Sequence, residues 1–132
     1  MRSPTLAVVA LAFVVLPQVA SATTMTTKMC VLAPDALVSI GKCSVSNFAN
    51  AGLRVTISAD IYAHGDVHVD MANANGGNIE FECVLDGTDH VCVRLVDTGG
   101  PNAGIWTVTG ILANTDTHYV AGANMTVDFL TL

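Results

Sequence analysis

The sequence predicts an all-β protein: an antiparallel β-sandwich, immunoglobulin-like or related, of about seven to nine short strands, preceded by a cleaved signal peptide. Three observations lead there. Apolar and polar residues alternate with period two through most of residues 23–132, the signature of strands with one wet face. Clusters of Gly, Asn, Asp and Pro interrupt that alternation at intervals suited to short strands. Four cysteines lie downstream of an export signal, as in small secreted domains stapled by disulfides.

The export signal occupies residues 1–22. Arg2 supplies the positive charge, and Leu6 to Leu16 is an unbroken apolar run of eleven residues. Pro17 ends the run, and Ala20-Ser21-Ala22 presents the small residues that a signal peptidase accommodates. A membrane-spanning helix needs roughly 20 apolar residues, so no integral membrane anchor is expected here. Cys30 stands too far past the cut to be a lipid-modified N-terminus. The chain thus divides into a signal peptide, 1–22, and one domain, 23–132, expected outside the cytoplasm: secreted, periplasmic or on a cell surface.

The whole chain carries a net charge of −6, and losing Arg2 makes the domain one unit more negative. Its basic residues, Lys28, Lys42, Arg54 and Arg94, are scattered singly. Nothing in that pattern matches a phosphate backbone, so nucleic acid is excluded as a partner. A protein, a neutral ligand or a divalent cation remains open.

Cys30, Cys43, Cys83 and Cys92 are separated by 12, 39 and 8 residues. Zinc sites favour close Cys or Cys/His pairs, so two disulfides are the better reading, with Cys30–Cys43 and Cys83–Cys92 preferred. One argument opposes the second bridge. If Val91, Val93 and Leu95 face the core and Arg94 faces out, Cys92 lies on the opposite face from Cys83.

In chain order, Thr23 to Thr27 reads as a mobile start, followed by short strands near Cys30 and over Val38 to Val45. From Leu53 to Met71 every odd position is apolar or small and most even positions are polar. That length exceeds an ordinary strand. A three-residue loop at His64-Gly65-Asp66 would preserve the faces by pairing Ala63 with Val67, Ile61 with Val69 and Ala59 with Met71; a single strand bent at Gly65 is the alternative. Asn73 to Asn78 is a turn, Ile79 to Leu85 a strand, and Asp86 to Asp89 closes a hairpin onto Val91 to Val96. Gly99 to Asn102 is a loop before the Ile105 to Leu112 strand, where Trp106 anchors the core. Met125, Val127 and Phe129 line one face of a terminal strand. An outer-membrane barrel is excluded, because its strands run to about 9–11 residues and carry aromatic girdles.

The candidate metal ligands are His64, Asp66 and His68, with Asp70 on the same face. Imidazole with carboxylate suits zinc or copper(II), and carboxylates alone suit calcium. In the hairpin register His68 opposes Tyr62, and Asp70 opposes Asp60. No other cofactor is implied. No local frame of the G-x-S-x-G kind positions a nucleophile. Glu80 and Glu82 stand about 7 Å apart along one strand face and read as solvent-facing residues with Arg94 as partner, so no catalytic residue is assigned and the chain is not expected to be an enzyme. Asn124-Met125-Thr126 meets the N-glycosylation pattern. The expected function is therefore a secreted or surface-exposed, disulfide-stabilised, non-catalytic binding module that uses loops at one end of the sandwich. The alternatives are metal capture by the His64-Asp66-His68 face, or a structural subunit of a surface assembly joined by edge strands.

Overall fold

The computed structural model describes residues 23–33, 40–59, 64–86, 91–114 and 122–132, with the side chains of His64 and Asn114 excepted. Eight strands are present among them: β1 (Thr24–Leu32), β2 (Ile40–Ala49), β3 (Gly52–Ala59), β4 (His64–Asn73), β5 (Asn78–Asp86), β6 (Val91–Val96), β7 (Gly104–Asn114) and β8 (Ala123–Thr131). They form two four-stranded antiparallel sheets in the orders β1-β8-β3-β6 and β2-β7-β4-β5. The fold is the β-sandwich expected. Its connectivity is that of an eight-stranded jelly roll, in which every connection except the β4–β5 hairpin crosses between sheets, and not the immunoglobulin order. Among the described residues no helix is long and apolar enough to cross a membrane.

The core lies between the sheets. Leu53, Val55 and Ile57 of β3 and Met125, Val127 and Phe129 of β8 meet Val67, Val69 and Met71 of β4 and Trp106, Val108 and Leu112 of β7. Trp106 is 1% exposed, and its indole N–H donates to the carbonyl of Asn102 at 2.9 Å. That satisfies the one polar atom the ring buries.

Several local expectations change. The threonine-rich start is strand β1, held along its length by β8. The alternation from Leu53 to Met71 is not a hairpin: β3 pairs with β6 and β8, whereas β4 pairs with β5 and β7. Ala59 therefore sits beside Ala123, and Met71 between Ile79 and Val108. The alternation persists because both sheets face one core, so a chain that crosses between them keeps its apolar positions inward. Ile61, Tyr62 and Ala63 lie outside the described residues. β5 and β6 likewise form no hairpin; they are edge strands of different sheets.

Strand β6 also reverses the expected faces. Cys92 and Val96 pack against the core, whereas Val91, Val93 and Leu95 are 56%, 54% and 71% exposed. With Cys92 turned inward, the objection to its bridge disappears. The disulfides join Cys30 to Cys43 and Cys83 to Cys92. Each ties an edge strand of one sheet to the edge strand facing it, β1 to β2 and β5 to β6, so both lateral openings of the sandwich are stapled. Two such bonds suit an oxidising environment.

Candidate functional site

On the outer face of the β2-β7-β4-β5 sheet, the polar residues of β4 and β5 stand side by side. Strand alternation sends Val67, Val69 and Met71 inward, which leaves Asp66, His68 and Asp70 facing out. On β5, Phe81, Cys83 and Leu85 turn to the core, and Glu80, Glu82 and Val84 face out. The register places His68 between Glu82 on one side and Ile111 on the other, and Asp70 between Glu80 and Thr109. The expected neighbours of these residues, Tyr62 and Asp60, fall outside the described residues, and β3 is in the other sheet.

His68 lies 3.7 Å from Glu82 (Nδ1 to Oε1) and 4.0 Å from Glu80 (Nε2 to Oε2). These contacts are longer than hydrogen bonds, and all three side chains are exposed. Exposed contacts of that kind contribute at most about 0–1 kcal/mol to folding. Asp70 is half-buried, and its Oδ1 is enclosed without a hydrogen-bond partner. Asp66 is exposed. Of His64, only the backbone is described, pairing with Asp86. Among the described residues, no three His, Cys, Asp or Glu side chains are grouped closely enough to hold a metal ion.

Across β2 and β7 this face is neutral or basic. Ser44 and Thr109 share a hydroxyl hydrogen bond at 3.0 Å, as do Ser46 and Thr107 at 2.9 Å. Lys42 lies at the far end of the row that runs through Ile111 and His68 to Glu82. The two arginines of the described residues lie on the other sheet. Arg54 belongs to the other sheet and binds Asp128, and Arg94 is on β6, so it is no strand neighbour of Glu80 or Glu82. Sequence periodicity could show that Glu80 and Glu82 share a face; it could not show that β4 lies beside them.

Contact was expected through loops at one end of the sandwich; the connections 34–39, 60–63, 87–90 and 115–121 lie outside the described residues. The strand ends leading into them are neighbours: Leu32 and Ala59 flank Ala123, Ser58 adjoins Val91, and His64 adjoins Asp86. All four connections therefore leave from one end of the sandwich. The opposite end is closed by a tight corner. Asn73 accepts from the Asn75 backbone N–H through Oδ1 at 2.9 Å, and its Nδ2 donates to the Asn102 carbonyl at 2.7 Å. Gly104, at φ 153°, passes so close that an added Cβ would stand 3.0 Å from Asn73 Oδ1.

No protein-family model matches the chain, and no curated protein sequence matches it. Among solved structures it is similar to the Yersinia pseudotuberculosis-derived mitogen, with a TM-score of 0.45, 9% identity, and coverage of 84% of this chain and 88% of that one. A family two carbohydrate esterase from Cellvibrio japonicus gives a TM-score of 0.45 and 14% identity over 83% of this chain, but only 34% of the esterase. TmCBM61 in complex with β-1,4-galactotriose gives 0.42 and 10% identity, covering 83% of this chain and 88% of that one. Likenesses this distant assign no activity or ligand to the present chain.

Proposed function

We propose that this chain is an exported, non-catalytic binding module whose contact surface is the acidic outer face of β4 and β5. The observation that supports this reading is the concentration of Asp66, Asp70, Glu80 and Glu82 around one histidine on an open sheet face. Among the described residues their contacts are the long approaches to His68 and one 3.4 Å hydrogen bond from Asn78 to Glu80. A face of one sign selects a complementary partner and speeds encounter with it. The test is capture from the extracellular fluid of the source by the immobilised oxidised protein, compared with an E80Q/E82Q variant. A specific partner lost in the variant supports the reading; equal capture by both, or none, overturns it.

A second reading, capture of a divalent metal through His64, Asp66 and His68, is favoured by one observation. His68 stands within 4.0 Å of two carboxylates, Glu82 and Glu80; they are not grouped closely enough for a metal as they stand, so binding would have to draw them together. Calorimetric titration with zinc, copper(II) and calcium tests it, and an H68A variant that binds as tightly as the parent removes His68 from the set.

A further inference from the structure

We infer that the partner is a second copy of this chain, docked head to tail so that the β5/β6 side of one molecule meets the β1/β2 side of the next. The inference rests on the binding-module reading, names its partner, and extends the contact from the acidic face to the β5/β6 edge that adjoins it.

The outer rails of the β1-β8-β3-β6 sheet are apolar where an isolated domain gains nothing from it. On edge strand β6 these are Val91, Val93 and Leu95; on edge strand β1 they are Met25, Met29 and Val31, each more than half exposed. Between the rails the same face is mostly polar: Thr27, Asp128 and Arg54 share one row and Thr126 and Thr56 the next, with half-buried Leu130 beside Met25 as the apolar exception. An apolar stripe confined to the two edges of a sheet matches lateral contact better than contact across the face.

Charge decides which edges meet. Strands β1 and β2 contain Lys28 and Lys42 and no carboxylate, whereas β5 and β6 contain Glu80, Glu82 and Asp86 with Arg94. The two sides are therefore of opposite sign. Joining β5/β6 to a second β5/β6 would set carboxylates beside carboxylates, which is unfavourable. Joining it to β1/β2 sets Glu80 and Glu82 beside Lys42. Strand polarity agrees. Each sheet has four antiparallel strands, so its two edges run in opposite directions, and a translated copy continues the antiparallel pattern.

The register is constrained as well. Lys28 and Arg94 share a row through Val127 and Val55, so in-line repetition would oppose two cations. A two-residue step keeps the faces and avoids that pairing. In one direction it lays Leu95 on Met29 and Val93 on Val31; in the other it lays Leu95 on Met25 and Val91 on Met29.

The test is sedimentation of the oxidised protein over a concentration series, with single-edge variants L95K and M29K. Both sites are exposed, and unchanged circular dichroism and Trp106 fluorescence verify the fold. The parent should grow past the dimer as concentration rises, because head-to-tail contacts leave free ends. Each variant alone should stay monomeric, its dissociation constant raised roughly tenfold or more. Mixed together they should form a dimer and stop, since each retains the edge the other has lost. A parent that stays monomeric at millimolar concentration overturns the proposal, as does an M29K protein that dimerises by itself, which would signify β6 pairing with β6. Capture of a different protein by monomeric L95K would sink self-association while sparing the binding-module reading.

Discussion

Thr27 Oγ1 donates to Asp128 Oδ1 at 2.6 Å and so fastens edge strand β1 to the middle of its sheet. From the other side Arg54 reaches Asp128 Oδ2 through Nε at 2.7 Å and Nη2 at 2.6 Å. Asp128 is only 4% exposed although it belongs to the outer face. The Thr27 hydroxyl, and after it the Arg54 guanidinium, holds this carboxyl below its ordinary value, against the opposing effect of burial.

A depressed native pKa contributes stability above the unfolded value of 3.8, and that stability disappears as pH falls through the native value. D128N should therefore lower unfolding free energy by about 1–3 kcal/mol at neutral pH. The gap to the parent should stay constant down to about pH 5 and close below it. Urea denaturation at a series of pH values measures both; a gap that widens in acid contradicts the assignment.

The corner at the closed end makes a second case. N73A removes the acceptor for Asn75 N–H and the donor to the Asn102 carbonyl, which also receives the Trp106 indole. The expected cost is about 1–3 kcal/mol. Trp106 emission should move to longer wavelength as water reaches the indole. A destabilised variant with unshifted emission would mean the corner holds without Asn73.

Gly110 lies on the core side of β7, where an added Cβ would stand 3.0 Å from Met125 Sδ and 3.2 Å from Leu32 Cδ2. The sheets approach each other there because one residue has no side chain. G110V should cost about 1–3 kcal/mol through overpacking, read as a lowered denaturation midpoint with an unchanged slope. A neutral result would show that Leu32 and Met125 yield freely.

The bridges span 13 and 9 residues. Loop-closure entropy depends weakly on such lengths, so C30A/C43A and C83A/C92A should each cost about 2–4 kcal/mol and differ by only a few tenths. Guanidinium denaturation compares them. A large inequality would mean that one bridge stabilises mainly through the native packing around it.

Much of the fold was legible in the sequence, and the reason is visible in Val55, Val67, Val69, Val127 and Phe129. Their alternation with polar neighbours marks the inward face of a strand wherever that strand lies. The same signal carries no information about which sheet a strand joins. That is why the run through Gly65 suggested a hairpin when the chain crosses the core, and why Asp86 to Val91 suggested another. The neighbours of His68 depend on that missing information, so Glu80 and Glu82 entered the candidate site only with the structure. On β6 the alternation misled outright, because apolar positions on an edge strand need not be core positions.

That reversed strand bears on how the molecule is made. Sliding β6 by one residue would turn Val91, Val93 and Leu95 toward the core, a frame that hydrophobicity alone prefers and that leaves Cys92 unable to reach Cys83. The frame that is present is the one the Cys83–Cys92 bond closes. A nascent chain that closes this edge before it meets an oxidant must therefore open it again, and the yield becomes a race between strand closure and thiol oxidation. Adding oxidant at the start of refolding should recover more native protein than adding it after collapse.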